Sequence, residues 1–448
     1  MKFLHTSDWH LGRNFHGESL ESAQRKALGD VVDAAREHAV DAVLIAGDVY
    51  DRTVPPERAV TMFEDTLEEL VRLGISVVVT SGNHDSARRM SFGSSFMSAA
   101  GVHFRTSLEG SIVPIRFTQR SGNGGRVTVS SDVENGVHGA GGEVVQHVDV
   151  YGLPYLEPRV VAAQLGVEKL THHDVVAAAV ARIREVAQQR ESQAGEVPVR
   201  TVIMAHLFAA GGMPTDSEAV LSVGQLDQVS AGLFAWSDYT ALGHLHGPQS
   251  PLPNVKYSGS PLPYSFSEAH QEKGGWIVEI NPGEDVSASW VAWPPAVPLA
   301  ILRGPIEELL TKEEHAWAEQ AYCQITLTDA QRPERPMERL RERFPKTLVL
   351  QHENRATSHG AETYRARMKK AENPQQIAEG FLEFVRERSP NEEETKLIEE
   401  LIEQARVEQA GAQQLGVGQR QVDGRRQVDG QRQVEQSHSG ADAQKDRA

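Results

Sequence analysis

Apolar positions in the first 80 residues follow two periods. Lys2–Thr6 is a short apolar run, Val40–Ala46 is a β-branched-rich run that stops at Gly47, and Ile75–Thr80 is another of the same kind. Runs of this length, bounded by turn residues, read as buried strands. Between them the spacing turns helical. Ser19–His38 carries Ala23, Ala27, Leu28, Val31, Val32 and Ala35, and Pro56–Leu73 carries Val60, Phe63, Leu67, Leu70 and Val71, with Gly74 as its stop. Strands alternating with helices predict an α/β core whose strands are largely buried.

Further along, Val148–Leu153, Arg200–Ala205, Tyr239–Gly243, Val255–Ser258 and Trp276–Ile280 read as strands, and His173–Gln189 as a helix. The stretch Ser121–Gly142 is Gly-rich and polar and reads as a pair of long hairpin loops. Prolines at 294, 295, 298 and 305 mark a boundary. Beyond it, Ala300–Arg303, Tyr322–Thr328 and Thr347–Gln351 read as strands with a helix at Arg335–Arg343, a small α+β unit. Pro374–Arg388 and Glu392–Ala405 are amphipathic helices, one with a stripe of Ile377, Phe381, Phe384 and Val385, the other with Leu397, Ile398, Leu401, Ile402 and Ala405. From Gly411 the chain repeats RQVDG-type hexads, a period that fits neither helix nor strand and predicts disorder. The expected organisation is a domain over 1–295, a cap over 296–370, a helical region over 371–410 and a tail over 411–448.

Composition narrows the class. With 448 residues and 39% hydrophobic content the chain can bury two or three cores. A single cysteine, Cys323, excludes an internal disulfide and a cysteine zinc cluster. No apolar run approaches the roughly 20 residues of a membrane span, and MKFLHTSDWH does not read as a signal peptide. A reduced, cytoplasmic location is expected. The net charge of −17 argues against a generic nucleic-acid coat. It hides a local contrast: residues 331–370 hold eleven Lys or Arg against five Asp or Glu, and residues 371–410 hold four against eleven. The basic segment suits a nucleic-acid backbone or a solvated helix face equally well.

Five short segments carry the chemistry: Asp8-Trp9-His10, Gly47-Asp48, Gly82-Asn83-His84-Asp85, Ala205-His206 and Gly243-His244-Leu245-His246. Each follows a predicted strand, and functional loops gather at the C-terminal edge of an α/β sheet. Taken singly, each is an ordinary turn; five in order, all carrying ligand-type side chains, are not. In an extended Gly-His-Leu-His, period two would point both imidazoles to one side. Carboxylate, imidazole and amide donors suit manganese, iron or zinc. Seven candidate ligands exceed the need of one ion, so two are implied, with Asp48 the central candidate to bridge them.

SDWHLG, GDVYD, SGNHD, MAH and GHLH, in this order, resemble the calcineurin-like metallophosphoesterases. HTSDWHLGR, GDVYDRTVPP, SGNHDSA, YGLPYLEPR and KYSGSPLPYSFSE resemble the SbcD branch, over Met1 to Glu279 strongly and more weakly to about Ala405. The resemblance implies a metallophosphoesterase sandwich core with a small α+β cap and C-terminal helices. It implies two divalent ions, Mn2+ foremost: Asp8, His10, Asp48 and His246 would hold one, and Asp48, Asn83, His206 and His244 the other. His84 would be catalytic, with Asp85 either orienting its ring or capping the loop. Asp51 stands where archaeal and eukaryotic relatives carry a histidine. Arg13, Arg52 and Arg88 flank the motifs, as phosphate clamps or, equally well, as solvated loop arginines. The implied activity is a manganese-dependent nuclease, a 3′→5′ exonuclease on double-stranded DNA ends and an endonuclease on hairpins, serving repair, replication and recombination. Its implied partner is an SbcC-type ATPase, docked on the amphipathic helices, with a homodimer inside a heterotetramer and no membrane contact. The alternatives are a phosphatase or phosphodiesterase acting on a small substrate, and a catalytically silent DNA-end scaffold.

Overall fold

The computed structural model describes residues 1–121, 127–130, 142–215 and 228–353, and, near the C-terminus, 375–376, 378–379, 390–391, 394–399 and 401–402. Two β-sheets form the core. The first runs in the order Ser287–Ala292, Gly274–Glu279, Lys2–Thr6, Ala42–Ala46, Ser76–Thr80, Val102–Arg105. Its last four strands are parallel, and the 274–279 and 287–292 strands add antiparallel at one edge. The second runs in the order Gln249–Leu252, Val255–Tyr257, Tyr239–Gly243, Val199–His206, Val144–Leu153, Ile115–Arg120, Val127–Ser130. Its four central strands, from 255–257 to 144–153, are parallel.

Side-chain alternation along these strands builds three layers of core. Phe3, Ala42, Leu44 and Val78 of the first sheet meet Phe117, Val148, Val150, Val202, Met204 and Tyr239 of the second. The intervening residues Leu4, Val43, Ile45, Val77 and Val79 turn outward onto the helices Glu21–Glu37 and Glu57–Arg72. On the far side, Tyr151, Leu153, Ile203, Ala205 and Leu242 pack on Val175, Val176, Ala179, Val180 and Ile183 of the helix His172–Gln193. The result is an α/β/β/α sandwich. Strands buried on both faces explain why the sequence shows them as near-continuous apolar runs. The edge-to-face contact of Phe3 with Phe117, centroids 5.2 Å apart, is one of the links between the sheets.

The region after the proline-rich boundary forms a three-stranded parallel sheet: Leu299–Gly304, Tyr322–Leu327 and Thr347–His352. The expected strands are there, but the parallel order makes this a β-α-β-α-β unit. Parallel neighbours need crossovers, supplied by the helix Ile306–Thr311, which the sequence reading missed, and by Pro336–Arg343. One face closes over Ala300, Leu302, Leu309, Cys323, Ile325 and Phe344. From the other face Leu299, Tyr322, Leu348 and Val349 pack against Phe15, Leu20, Leu262, Tyr264 and Phe266 of the sandwich. Cys323 is fully buried, and burial pushes its thiol up to about 11.

Of the expected C-terminal helices, residues 375–376 and 378–379 of the first and 394–399 and 401–402 of the second are described and helical. Asn391 and Glu394 exchange hydrogen bonds, Glu394 N–H to Asn391 Oδ1 at 2.8 Å and Asn391 N–H to Glu394 Oε2 at 2.9 Å. This is a capping box one residue before the expected start. Most of the Gly-rich 121–142 loops, the stripe residues Ile377, Phe381, Phe384 and Val385, and the tail over 411–448 lie outside the described residues. Among the described residues no helix is long and apolar enough to cross a membrane.

Asp149 gives a test of the fold. It is buried, and it accepts from Arg116 Nε at 2.7 Å, from Arg116 through a second nitrogen at 2.7 Å and from Arg190 Nε at 2.7 Å. Burial alone would raise its carboxyl, but the two guanidinium groups hold it below the ordinary range. Asp149→Asn leaves both arginines without their counter-charge and should cost about 3–5 kcal/mol in urea unfolding. A depressed carboxyl stabilises above the unfolded value and loses that stabilisation as pH falls through the folded one. The gap between wild type and variant should therefore be full at pH 7 and shrink below about pH 4. A gap under about 1 kcal/mol at pH 7 would show the network to be solvent-screened.

Candidate metal centre

Five chemistry-bearing segments leave the C-terminal ends of parallel strands in both sheets. Lys2–Thr6, Ala42–Ala46 and Ser76–Thr80 deliver Asp8 and His10, Asp48, and Asn83; Val199–His206 and Tyr239–Gly243 deliver His206, and His244 and His246. The backbone turns sharply at these points. Asp8 (φ 54°), His10 (φ 42°), Asp48 (φ 50°) and His244 (φ 103°) occupy the left-handed region, which side chains rarely adopt. Strain of this kind persists only where the surroundings impose it. Glycines permit the close approach. A Cβ on Gly243 would stand 2.0 Å from Ala46 O, and one on Gly82 would stand 2.1 Å from Asp48 Oδ1.

The side chains converge in one buried cluster. His10 Nε2 lies 3.1 Å from His246 Nε2 and 3.6 Å from Asp48 Oδ2. Asp48 Oδ2 lies 3.3 Å from His206 Nε2, which is 3.0 Å from Asn83 Oδ1. His244 Nδ1 reaches the same Asn83 oxygen at 3.2 Å. Asp8 accepts from Ser7 Oγ at 2.5 Å and from the His244 N–H at 3.0 Å. Three triads bring ligand atoms within 4.8 Å of one another: Asp8, His10 and His246; Asp8, Asp48 and His206; His10, Asp48 and His84.

The charges are set by burial and by each other. Burial, with Asp48 adding to it, pushes the Asp8 carboxyl up to about 6 against the pull of His206 and His246. Burial opposes ionisation of Asp48 too, but His206, His10 and His84 hold that carboxyl far below its usual range. His206 resists burial through Asp48 and is raised to about 9. Burial drives His10 well below the usual imidazole value and His244 down to about 3.

The donors fit divalent cations. His206 Nδ1 donates to Ala46 O at 2.9 Å, which leaves Nε2 as the nitrogen turned into the cluster. There it faces two oxygens, of Asp48 and Asn83, to which its proton is donated when no cation is bound, and His10 and His246 set nitrogen against nitrogen. A divalent cation among these carboxylate, amide and imidazole groups would take the place of the protons they share.

One sequence expectation changes and one is narrowed. His244 and His246 do not share one side of an extended segment: with His244 at positive φ, one ring reaches Asn83 and the other His10. Of the two roles open to Asp85, the geometry is that of the loop cap and not of a group behind the His84 ring. Its carboxylate accepts from the N–H groups of Gly82 (2.9 Å), Tyr50 (3.0 Å) and Val49 (3.2 Å) and ties two loops together, whereas His84 Nδ1 donates to Asp51 O at 2.8 Å. Arg13 stacks on the Tyr264 ring, 5.0 Å from its centroid, beside His10; Arg52 and Arg88 are exposed. The reading missed Tyr264, Glu268 and Lys273. Tyr264 packs on both His10 and His246, and its hydroxyl donates to Trp9 O. Its signal lies within KYSGSPLPYSFSE, where nothing local marks the tyrosine as part of the site.

Residues 1–152 match the family model for calcineurin-like phosphoesterases. Residues 295–386 match SbcD_C, described as the type 5 capsule protein repressor C-terminal domain. The SbcD subunit of the nuclease SbcCD from Staphylococcus saprophyticus is 29% identical over 355 residues, which is 78% of this chain and 84% of that protein. A solved protein of Thermus thermophilus shows 12% identity over 64% of this chain and 98% of its own, at a TM-score of 0.32. A dimetal phosphatase from Danio rerio shows 13% identity over 66% and 97%, at 0.37.

Gly82→Ala tests the packing that seats Asp48. The new methyl would press on Asp48 Oδ1 and on its backbone N, 2.5 Å away. Affinity for Mn2+ should fall by about 10–100-fold, the usual effect of disturbing the support of a ligand. Gly29→Ala, whose Cβ would meet open space, should leave it unchanged. Equal Mn2+ affinity in the Gly82 variant would show that this contact does not set the carboxylate.

Proposed function

The chain is an SbcCD-type nuclease subunit built on a calcineurin-like phosphoesterase domain, and from that premise we propose that it hydrolyses DNA phosphodiesters at a two-ion manganese centre. Its substrates are double-stranded ends, cut as a 3′→5′ exonuclease, and hairpins, opened endonucleolytically. The supporting observation is the convergence of Asp8, His10, Asp48, Asn83, His206, His244 and His246 from five strand ends. Asp8, His10, Asp48 and His246 would hold one ion, and Asp48, Asn83, His206 and His244 the other. Asp48 stands between the two groups, 3.6 Å from the His10 ring and 3.3 Å from the His206 ring. When bound, the ions neutralise the phosphate and lower the pKa of the attacking water.

The protein's own groups do the rest. His84 is half-buried, and its Nδ1 is held on Asp51 O, so Nε2 is the nitrogen left for proton transfer to the leaving 3′ oxygen. Arg13, fixed over Tyr264, is placed to bind a phosphate beside His10. Asp85 keeps the Gly82 and Val49 loops in register.

The same reading assigns two partner surfaces and a cytoplasmic location. Phe92 and Phe96 are 86% and 83% exposed, and Phe92 lines a cavity of about 650 Å³ together with Val60, Phe63, Leu67, Met90 and Met97. Aromatic knobs next to an apolar hollow on one patch suit a two-fold contact with a second copy. Leu397 and Leu401, each 55% exposed, belong to the helical region assigned to the SbcC-type ATPase, in a helix-in-groove mode.

Activity is tested with purified protein, Mn2+ and three substrates: duplex ends, hairpins and a small phosphodiester. Wild type should cut the first two in preference, and His84→Gln should keep its metal while kcat falls by about 10²–10⁴-fold. Preference for the small phosphodiester would replace the nuclease reading, and loss of Mn2+ in His84→Gln would make His84 a ligand. Light scattering tests the surfaces. Phe92→Glu with Phe96→Glu should yield monomers, and Leu397→Glu with Leu401→Glu should fail to join the ATPase while still cutting DNA. Unchanged mass in either experiment removes the corresponding surface.

A further inference from the structure

Among the site histidines, His246 is gripped at two points. Its ring Nδ1 faces Glu268 Oε1 at 3.4 Å, and its backbone carbonyl accepts from Lys273 Nζ at 2.8 Å. Glu268 and Lys273 form a pair at 2.7 Å, with side chains 0% and 2% exposed. Lys273 also donates to Ser260 Oγ at 3.0 Å and to Gln271 Oε1 at 3.0 Å, and Glu268 Oε2 accepts the Tyr264 N–H at 3.3 Å. A buried ion pair is a poor source of stability, since desolvation can exceed the Coulombic gain. Its presence against a site imidazole calls for another reason.

Geometry supplies one. A carboxylate at Nδ1 keeps the proton on that nitrogen and turns the Nε2 lone pair inward, towards His10 Nε2 at 3.1 Å and the Asp8 group. The other rings are set differently. His206 rests on a backbone carbonyl, and His10 Nδ1 is buried without a hydrogen-bond partner, 3.8 Å from Asp51 Oδ1. A carboxylate makes its imidazole a stronger donor than a backbone carbonyl does, and Lys273 balances the added charge. We propose that Glu268, neutralised by Lys273, is a positioning residue that fixes the tautomer and orientation of His246 and so sets the affinity of one of the two ions, the one held with Asp8 and His10.

The inference rests on the two-ion reading, and its test keeps the two apart. Mn2+ is titrated calorimetrically into wild type, Glu268→Gln, Lys273→Met and the double variant, and each protein is also melted without metal. Glu268→Gln leaves a buried lysine unpaired and should lower the melting temperature; the double variant, with neither charge, should regain much of it. Affinity should not follow stability. In both variants lacking Glu268 one ion should bind about 10–100-fold more weakly while the other is unchanged. Lys273→Met, which keeps the carboxylate, should retain two ions. Recovery of both affinities in the double variant would make the pair purely structural and overturn the assignment, as would wild-type affinities in Glu268→Gln. A wild type that takes up fewer than two ions would instead remove the two-ion reading.

Discussion

Two carboxylates, Asp8 at 0% and Asp48 at 2% exposure, are withdrawn from water where the two sheets meet. An ion buried without compensation costs several kcal/mol, and here the compensation comes from the neighbours: the His206 ring and the His84 N–H on Asp48, the Ser7 hydroxyl and the His244 N–H on Asp8. The rest of the site follows from that constraint. The sheets approach closely enough for Ala46 O of one to hold the His206 ring of the other. Glycines stand at 47, 82 and 243 because a Cβ there would meet Asp48, His206 or the facing strand. Four of the candidate ligands, Asp8, His10, Asp48 and His244, accept left-handed backbone. The folded chain thus spends local stability on a cluster of donors that cations complete.

Much of this was legible in the sequence because its signals are local. A buried parallel strand is an apolar run, and a ligand at its C-terminal end is the polar residue after the run stops. Lys2–Thr6 and Tyr239–Gly243 match the structure end to end, and the other expected strands end within a few residues of their positions, whereas the more polar strands Val102–Arg105, Ile115–Arg120, Val127–Ser130, Gln249–Leu252 and Ser287–Ala292 were not expected. What escaped depends on contacts between distant segments. Nothing local separates Asp85, which ties two loops, from a residue behind a catalytic ring. Its role appears once the 82–85 and 48–50 segments are side by side. The Gly-His-Leu-His spacing misled because the left-handed turn at His244 breaks the period. Glu268 and Lys273 look like surface charges in a polar loop and become recognisable only when the loop folds under His246.

The cap shows the same division. Its strands were visible as apolar runs, whereas their parallel order was not, since direction is set by how the crossovers pack. Its outer face closes on Phe15, Leu262, Tyr264 and Phe266, and Tyr264 in turn lies against His10 and His246. One contiguous set of side chains therefore runs from the cap's sheet to the ligand rings, so the cap belongs to the architecture of the site.

The central claim is that five strand ends build one centre for two ions around Asp48. Anomalous diffraction from crystals grown with Mn2+ tests it most directly. The account predicts two peaks, one beside Asp8, His10 and His246 and one beside Asn83, His206 and His244, both within ligand distance of Asp48. A single peak, or a peak bound by His84 in place of these residues, would contradict it.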